Sequence, residues 1–175
     1  MKDYLMAGGL LAAIMAFRYA MRGIVRPPAD LEPFPTQAEV IATTCSKPGP
    51  RPGVEAFRAY VMQRFGGGDA GIWRECDRGA NSEHKEGRAW DWSITTKSTA
   101  PAGLLAWLEK DNWANARRLG IGIIIWDRRI WSSWKREQGW RPYTGPDPHT
   151  THMHLSFSKK GAMGATSGYK EGRVS

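Results

Sequence analysis

The chain reads as a compact α+β domain, and three observations lead there. Residues 54–65, VEAFRAYVMQRF, carry Val54, Phe57, Val61 and Phe65 at helical spacing. Residues 88–94 (RAWDWSI) and 152–158 (HMHLSFS) alternate with the period of two that belongs to strands. Between them IGIIIW, residues 121–126, is apolar almost throughout, as in a strand covered on both faces. Helices followed by a few strands of mixed pattern point to one α+β unit. A hydrophobic content of 41% with nine tryptophans suffices for a packed core and excludes global disorder.

Taken in order, residues 4–17 (YLMAGGLLAAIMAF) are apolar and uncharged, preceded by Lys2 and followed by Arg18, Arg22 and Arg26. The run is shorter than the roughly 20 residues of a full span, and no small-x-small cleavage site follows it. Residues 1–26 are therefore expected to be a signal anchor holding the chain at a membrane, facing the cell wall, with an ordinary amphipathic or buried helix as the alternative. The arginines after the apolar run oppose export by the positive-inside rule, so a cytoplasmic placement stays open. RPPADLEPFP opens a Pro-rich linker over residues 27–44, and the domain is expected over 45–160. GGGDAG ends the first helix. A second helical region starts at Pro101, a first-turn residue, and NWANARRLG continues it to a cap at Gly120. Residues 161–175, rich in Gly, Ser and Lys, are expected to be a mobile tail.

The charge is +8, from 25 Lys and Arg against 17 Asp and Glu. That suits a polyanionic neighbour such as nucleic acid, anionic lipid or an acidic wall polymer, and equally a merely soluble basic surface. Nucleic acid is disfavoured: no strand–helix metal motif follows the histidines, and the aromatics do not interleave with a basic stripe. Cys45 and Cys76 are too far apart for a CxxC motif. In an exported protein they would close a loop of about 30 residues with one disulfide, stabilising by about 3 kcal/mol. In a reducing cytoplasm they would be two buried thiols.

All four histidines lie in two stretches, SEHKEGRAWDW and DPHTTHMH. His152 and His154 are two apart on a strand and leave the same face. Asp91 sits opposite Trp90 and Trp92, on the polar face, and His84 precedes that strand with Gly87 allowing a turn between. If the two strands are neighbours, His84, Asp91, His152 and His154 converge. Two imidazoles and one carboxylate around an open position is the composition of a catalytic zinc site, since structural sites are more often Cys-rich. Such chemistry also needs a base for the water's proton, and His152 and His149 are the candidates.

SEHKEGRAWDW followed by HTTHMHLSFS resembles the zinc peptidases that share the D-alanyl-D-alanine carboxypeptidase and hedgehog fold. Their pattern is SxHxxGxAxD followed by HxH or ExxH. Ser82, His84, Gly87, Ala89 and Asp91 match the first part, and His152 and His154 the HxH form. Residues 52–158 are also similar to a domain common in actinobacterial exported proteins and their phages, through GVEAFR, ARRLGIGIIIWDRRIW, GWRPYTG and PHTTHMHLSFS. The resemblance implies a small central antiparallel sheet with flanking helices. It implies Zn2+ held by His84, Asp91 and His154, with His152 beside the metal as base or donor. Thr151 stands where the ExxH subfamilies have glutamate, which leaves His149 as the other base. The implied activity is hydrolysis of peptide bonds in peptidoglycan, stem peptide or cross-link, by a phage lysin or wall-remodelling enzyme acting as a monomer. A non-catalytic wall-binding module on the same fold is the alternative. Ser82, Arg128 and Arg129 are the substrate-binding candidates, the arginines because a guanidinium takes a peptide carboxylate bidentately; the alternative for both is surface charge on a hairpin. Trp126, Trp131, Trp134 and Trp140 line a groove or fill the core, with core packing expected for at least half. Glu83 and Glu86 are expected as solvated surface, with contacts behind His84 as the alternative.

Overall fold

The computed structural model describes residues 32–45, 49–76 and 81–170. The chain divides into Met1–Asp30 and Leu31–Ser175, and all described residues fall in the second unit. The signal anchor expected over residues 1–26 lies outside them. No helix among the described residues is long and apolar enough to cross a membrane.

Among the described residues six strands form one antiparallel sheet. They are β1 (Gly68–Asp69), β2 (Ala89–Ser93), β3 (Ile121–Trp126), β4 (Arg129–Ser132), β5 (Arg141–Pro142) and β6 (His152–Phe157), in the order β1-β2-β6-β3-β4-β5. Among the described residues five α-helices accompany the sheet: α1 (Gln37–Val40), α2 (Pro52–Phe65), α3 (Ala100–Leu119), α4 (Lys159–Ala162) and α5 (Ser167–Lys170). The α+β class expected from the periodicities is the class observed.

Strand alternation gives the sheet two unlike faces. Trp90 and Trp92 on β2, Ile124 on β3 and Met153, Leu155 and Phe157 on β6 point one way and are fully buried. Val54, Phe57 and Val61 of α2 and Leu104, Leu108 and Leu119 of α3 close over them. Each such side chain contributes on the order of 1.5–3 kcal/mol by leaving water. The other face carries Asp91, His154 and Ser156 beside a small apolar cluster of Val40, Ile123 and Ile125.

Pro52 and Pro101 both stand at helix starts, and Gly120 (φ 72) caps α3 in the left-handed conformation, its N–H reaching the carbonyls of Ala116 and Arg117. Within α3 the expected continuous helix is broken. Asp111, Asn112 and Trp113 are left-handed (φ 53, 56 and 61); Trp113 there stacks on Trp131 with ring centroids 4.0 Å apart, and Asn115 Nδ2 donates to the Trp107 carbonyl at 2.7 Å.

Two segments expected to be loose are packed. In the linker expected over 27–44, the described residues fold back on the domain: Val40 is fully buried against Ile123 and Ile125, and the Pro35 carbonyl accepts from Ser133 Oγ at 2.6 Å. The tail expected to be mobile from residue 161 is instead ordered through Lys170. Ala162 is fully buried, Ser158 caps α4, and Ser167 N donates to Glu32 Oε1 at 3.2 Å. Cys45 and Cys76 form a disulfide with Cα atoms 5.7 Å apart, a cross-link compatible with an exported protein. In the chain-entropy model a loop of this size stabilises by about 3–4 kcal/mol.

Gly122 is what lets residues 32–44 dock, since a Cβ there would meet Val40 Cγ2 at 2.2 Å. Gly122→Ala is expected to cost about 1–3 kcal/mol in urea unfolding, and combination with Val40→Ala to cost less than the sum of the two single changes. Burial pushes the Asp69 carboxyl up, but hydrogen bonds from Trp90 Nε1 (2.9 Å) and Gly71 N (2.9 Å) and the Arg58 guanidinium outweigh it, holding its pKa below the ordinary value. The stabilisation belongs to the ionised form: it is present above the unfolded pKa of about 3.9 and is lost as pH falls through the lower folded value. Asp69→Asn is expected to flatten the loss of stability below about pH 4 in acid titrations followed by tryptophan fluorescence.

Candidate metal centre

In the β2–β6 ladder Asp91 lies directly opposite His154, so their side chains rise side by side from the same face. His84 comes from the turn ahead of β2, a short 3-10 helix Glu83–Glu86. Ser82 Oγ accepts from His84 N at 3.3 Å and starts that turn. Gly87, left-handed at φ 67, ends it; a Cβ there would meet the Gly49 carbonyl oxygen at 2.0 Å, so both conformation and space require glycine.

The three side chains meet tip to tip. His84 Nε2 is 3.2 Å from Asp91 Oδ1 and 3.3 Å from His154 Nδ1, and His154 Nδ1 is 2.9 Å from Asp91 Oδ1. All three residues are buried. The far nitrogen of each ring is already engaged. His84 Nδ1 donates to the Ile72 carbonyl at 2.8 Å, which leaves the Nε2 lone pair facing inward, and His154 Nε2 bonds Ser156 Oγ at 2.7 Å. Arg74 Nη2 donates to the other carboxylate oxygen, Asp91 Oδ2, at 2.5 Å. Burial raises the Asp91 pKa, but the hydrogen bonds from His154 and His84 and the charge of both rings outweigh it and hold the carboxyl well below the usual range. A proton shared among these atoms, or a metal cation in its place, relieves the crowding of two ring nitrogens and a carboxylate oxygen. The group could hold a metal ion.

A second group, Asp147, His149 and His152, lies on the approach to β6 and could also take one. His149 is left-handed (φ 52); Asp147 Oδ1 accepts its backbone N–H at 2.8 Å, and its carbonyl accepts from Asp127 N at 2.9 Å. His149 Nδ1 donates to the Asp147 carbonyl at 2.7 Å, so in the neutral ring the lone pair is on Nε2. The His149 ring centroid is 4.7 Å from that of His152 and 6.0 Å from that of His154. Burial first, and then its histidine neighbours, lower the His149 pKa against the opposing bond to Asp147. With one nitrogen of His149 committed and Asp147 exposed, this is the looser donor set.

The remaining candidates fall around these groups. Ser82 caps the His84 turn. Arg128 is exposed on the two-residue turn between β3 and β4, its amide donating to the Pro148 carbonyl at 2.9 Å. Arg129 lies over the Trp140 ring at 5.5 Å, facing away from the histidines along β4. Trp126 and Trp131 are core, while Trp134 and Trp140 are half-buried against it. Glu83 and Glu86, expected as solvated surface, instead receive the docked residues 42–44. Glu83 Oε1 accepts from Ala42 N at 3.0 Å, and Glu86 Oε1 from Thr43 N, Thr44 N and Thr44 Oγ1 at 3.2, 3.1 and 2.9 Å. Glu86 also pairs with Arg88. A cavity of about 320 Å³ lies elsewhere, at the break in α3 beside Tyr60 and Trp107. Arg74, Ser156, Asp147 and the Ile72 carbonyl went unforeseen. Only Ser156 carried a signal: two residues after His154, it had to share that face of β6.

A family model described as VldE, C-terminal domain, matches residues 46–154, more than half of the chain. That span includes both groups of potential ligands. No curated protein and no solved structure matches. Losing an outer contact to a metal ligand commonly weakens binding by about 10–100-fold. Ser156→Ala is expected to weaken divalent-ion binding by that factor in chelator competition, and His154→Ala to abolish it at the same concentrations.

Proposed function

The chain belongs to the VldE C-terminal domain family, and from that premise and the geometry of His84, Asp91 and His154 we propose that it is a zinc-dependent peptidase acting on peptide bonds of bacterial peptidoglycan. The observation that carries the reading is the spacing of the three ligand atoms, 3.2, 3.3 and 2.9 Å. A tetrahedral zinc with nitrogen and oxygen ligands at about 2.0–2.1 Å requires ligand–ligand separations of about 3.3 Å. Three protein ligands leave the fourth position for water, which is the catalytic rather than the structural composition. The resemblance of SEHKEGRAWDW and HTTHMHLSFS to zinc peptidases supports the substrate class, as does a charge of +8 facing an acidic wall.

Bound there, zinc supplies a Lewis acid that polarises the scissile carbonyl and lowers the pKa of a water. His84 Nε2, His154 Nδ1 and one oxygen of Asp91 would hold it, the other oxygen being occupied by Arg74. His149, with its lone pair on Nε2 and its ring held by Asp147, takes the attacking water's proton and returns it to the leaving amine. His152, half-buried beside it, donates to the oxygen that gains charge. Arg128, exposed on the neighbouring turn, takes a carboxylate of the peptide. The disulfide fits a protein working outside the cytoplasm, with residues 1–26 as its anchor.

The test incubates the full chain with purified cell walls and, separately, with DNA, with zinc or with a chelator, followed by mass analysis. New amino and carboxyl termini in stem peptides are expected with zinc and absent with chelator. His149→Ala is expected to slow their formation by about 10²–10⁴-fold while zinc stays bound. Unchanged muropeptides with retained wall binding would favour a non-catalytic module, and cleaved DNA a nuclease.

A further inference from the structure

His84 differs from the other two ligands in how it is held. Asp91 and His154 sit on β2 and β6 and are fixed by the ladder between them. His84 stands on a four-residue turn outside the sheet, and two irregular segments bond to that turn. In the first segment, residues 42–44 donate to Glu83 Oε1 at 3.0 Å and to Glu86 Oε1 at 2.9–3.2 Å, and the next residue is Cys45. From the second segment, the Ile72 carbonyl accepts from His84 Nδ1 at 2.8 Å and Arg74 N donates to the His84 carbonyl at 3.3 Å. The Arg74 side chain then reaches Asp91, and two residues further on is Cys76. Neither segment belongs to a helix or a strand, and the Cys45–Cys76 disulfide ties them together.

We propose that the Cys45–Cys76 disulfide is a positioning clamp for the metal site, closing two segments around the turn that carries His84, so that the site holds its ion tightly only when the disulfide is formed. The inference rests on the metal reading of His84, Asp91 and His154 and needs no particular substrate. The core under the other face of the sheet contains neither cysteine, and of the two clamping segments it takes in only Ile72. Opening the clamp therefore releases residues 42–44 and Arg74 from the His84 turn while the core, with Ile72 in it, stays closed. Two equivalents of a small thiol such as glutathione would open it. The first thiolate attacks one sulfur and forms a mixed disulfide; the second displaces it. Two electrons and two protons end on Cys45 and Cys76, and the reductant leaves as its own disulfide. A chain in a thiol-reducing compartment would then hold the ion weakly and gain its full affinity after oxidation.

The test compares zinc affinity, by chelator competition, in the full chain and in a Cys45→Ser/Cys76→Ser variant, which avoids zinc capture by free thiols. A loss of about 10–100-fold is expected, the size seen when contacts behind a ligand are removed, with far-UV dichroism and tryptophan fluorescence unchanged. Equal affinity in the two chains overturns the clamp. If zinc binds the wild type and His84→Ala alike, the underlying metal reading has failed instead. Should the double variant not fold, the reciprocal measurement decides, because binding linkage requires zinc to protect the disulfide by the same factor by which the disulfide favours zinc. In glutathione redox buffers the wild-type midpoint is expected to move to more reducing potential on adding zinc, by about 30 mV for each tenfold in affinity. That movement should vanish in His84→Ala. No movement, or the same movement in His84→Ala, overturns the proposal.

Discussion

The pairing of β2 with β6, with Asp91 opposite His154, is the constraint on which the rest of the molecule depends. Because side chains alternate, one register decides both faces at once. The same ladder that brings Asp91 and His154 together presses Trp90 against Leu155 and Trp92 against Met153 on the far side, where all four are fully buried. A slip of one residue would drive the carboxylate into the tryptophan core and turn the indoles toward the histidines. Apolar burial on one face therefore specifies the polar geometry on the other. The cost of burying Asp91 is offset locally, by His84, His154 and Arg74, rather than by solvent.

The third ligand is positioned by different means. His84 relies on a serine that starts its turn, a left-handed glycine that ends it, and two irregular segments that bond to it. Glu83 and Glu86, one residue before and two after His84, form the inner surface to which residues 42–44 dock. Asp147 and the turn at Asp127 and Arg128 likewise hold His149 in a conformation that a non-glycine residue rarely adopts unaided. The two strand-borne ligands draw their precision from the ladder, whereas His84 and His149 draw theirs from side chains bonding to nearby backbone.

The sequence revealed most clearly what depends on local period. The bounds of β3, the one-faced pattern of α2, the opposed faces of β2 and the shared face of His152 and His154 follow from spacings of two and of three to four residues. The histidine clustering pointed to side chains that the fold brings within ligand distance of one another. What escaped notice depends on contacts distant in sequence. Val40 docks through one side chain into space left by Gly122, a match invisible to periodicity. The break in α3 accompanies a tryptophan stack across 18 positions, between Trp113 and Trp131. Arg74 reaches Asp91 from an irregular segment with no pattern to mark it, and residues 161–170 have a composition typical of loose tails yet pack through Ala162 and Tyr169.

The most direct measurement is diffraction from crystals grown with zinc, recorded on both sides of the zinc absorption edge. The expected result is one strong anomalous peak within about 2.0–2.2 Å of His84 Nε2, Asp91 Oδ1 and His154 Nδ1, with a fourth ligand from solvent. A peak held instead by Asp147, His149 and His152, or no ordered ion at either group, would contradict the assignment of His84, Asp91 and His154 as the metal centre.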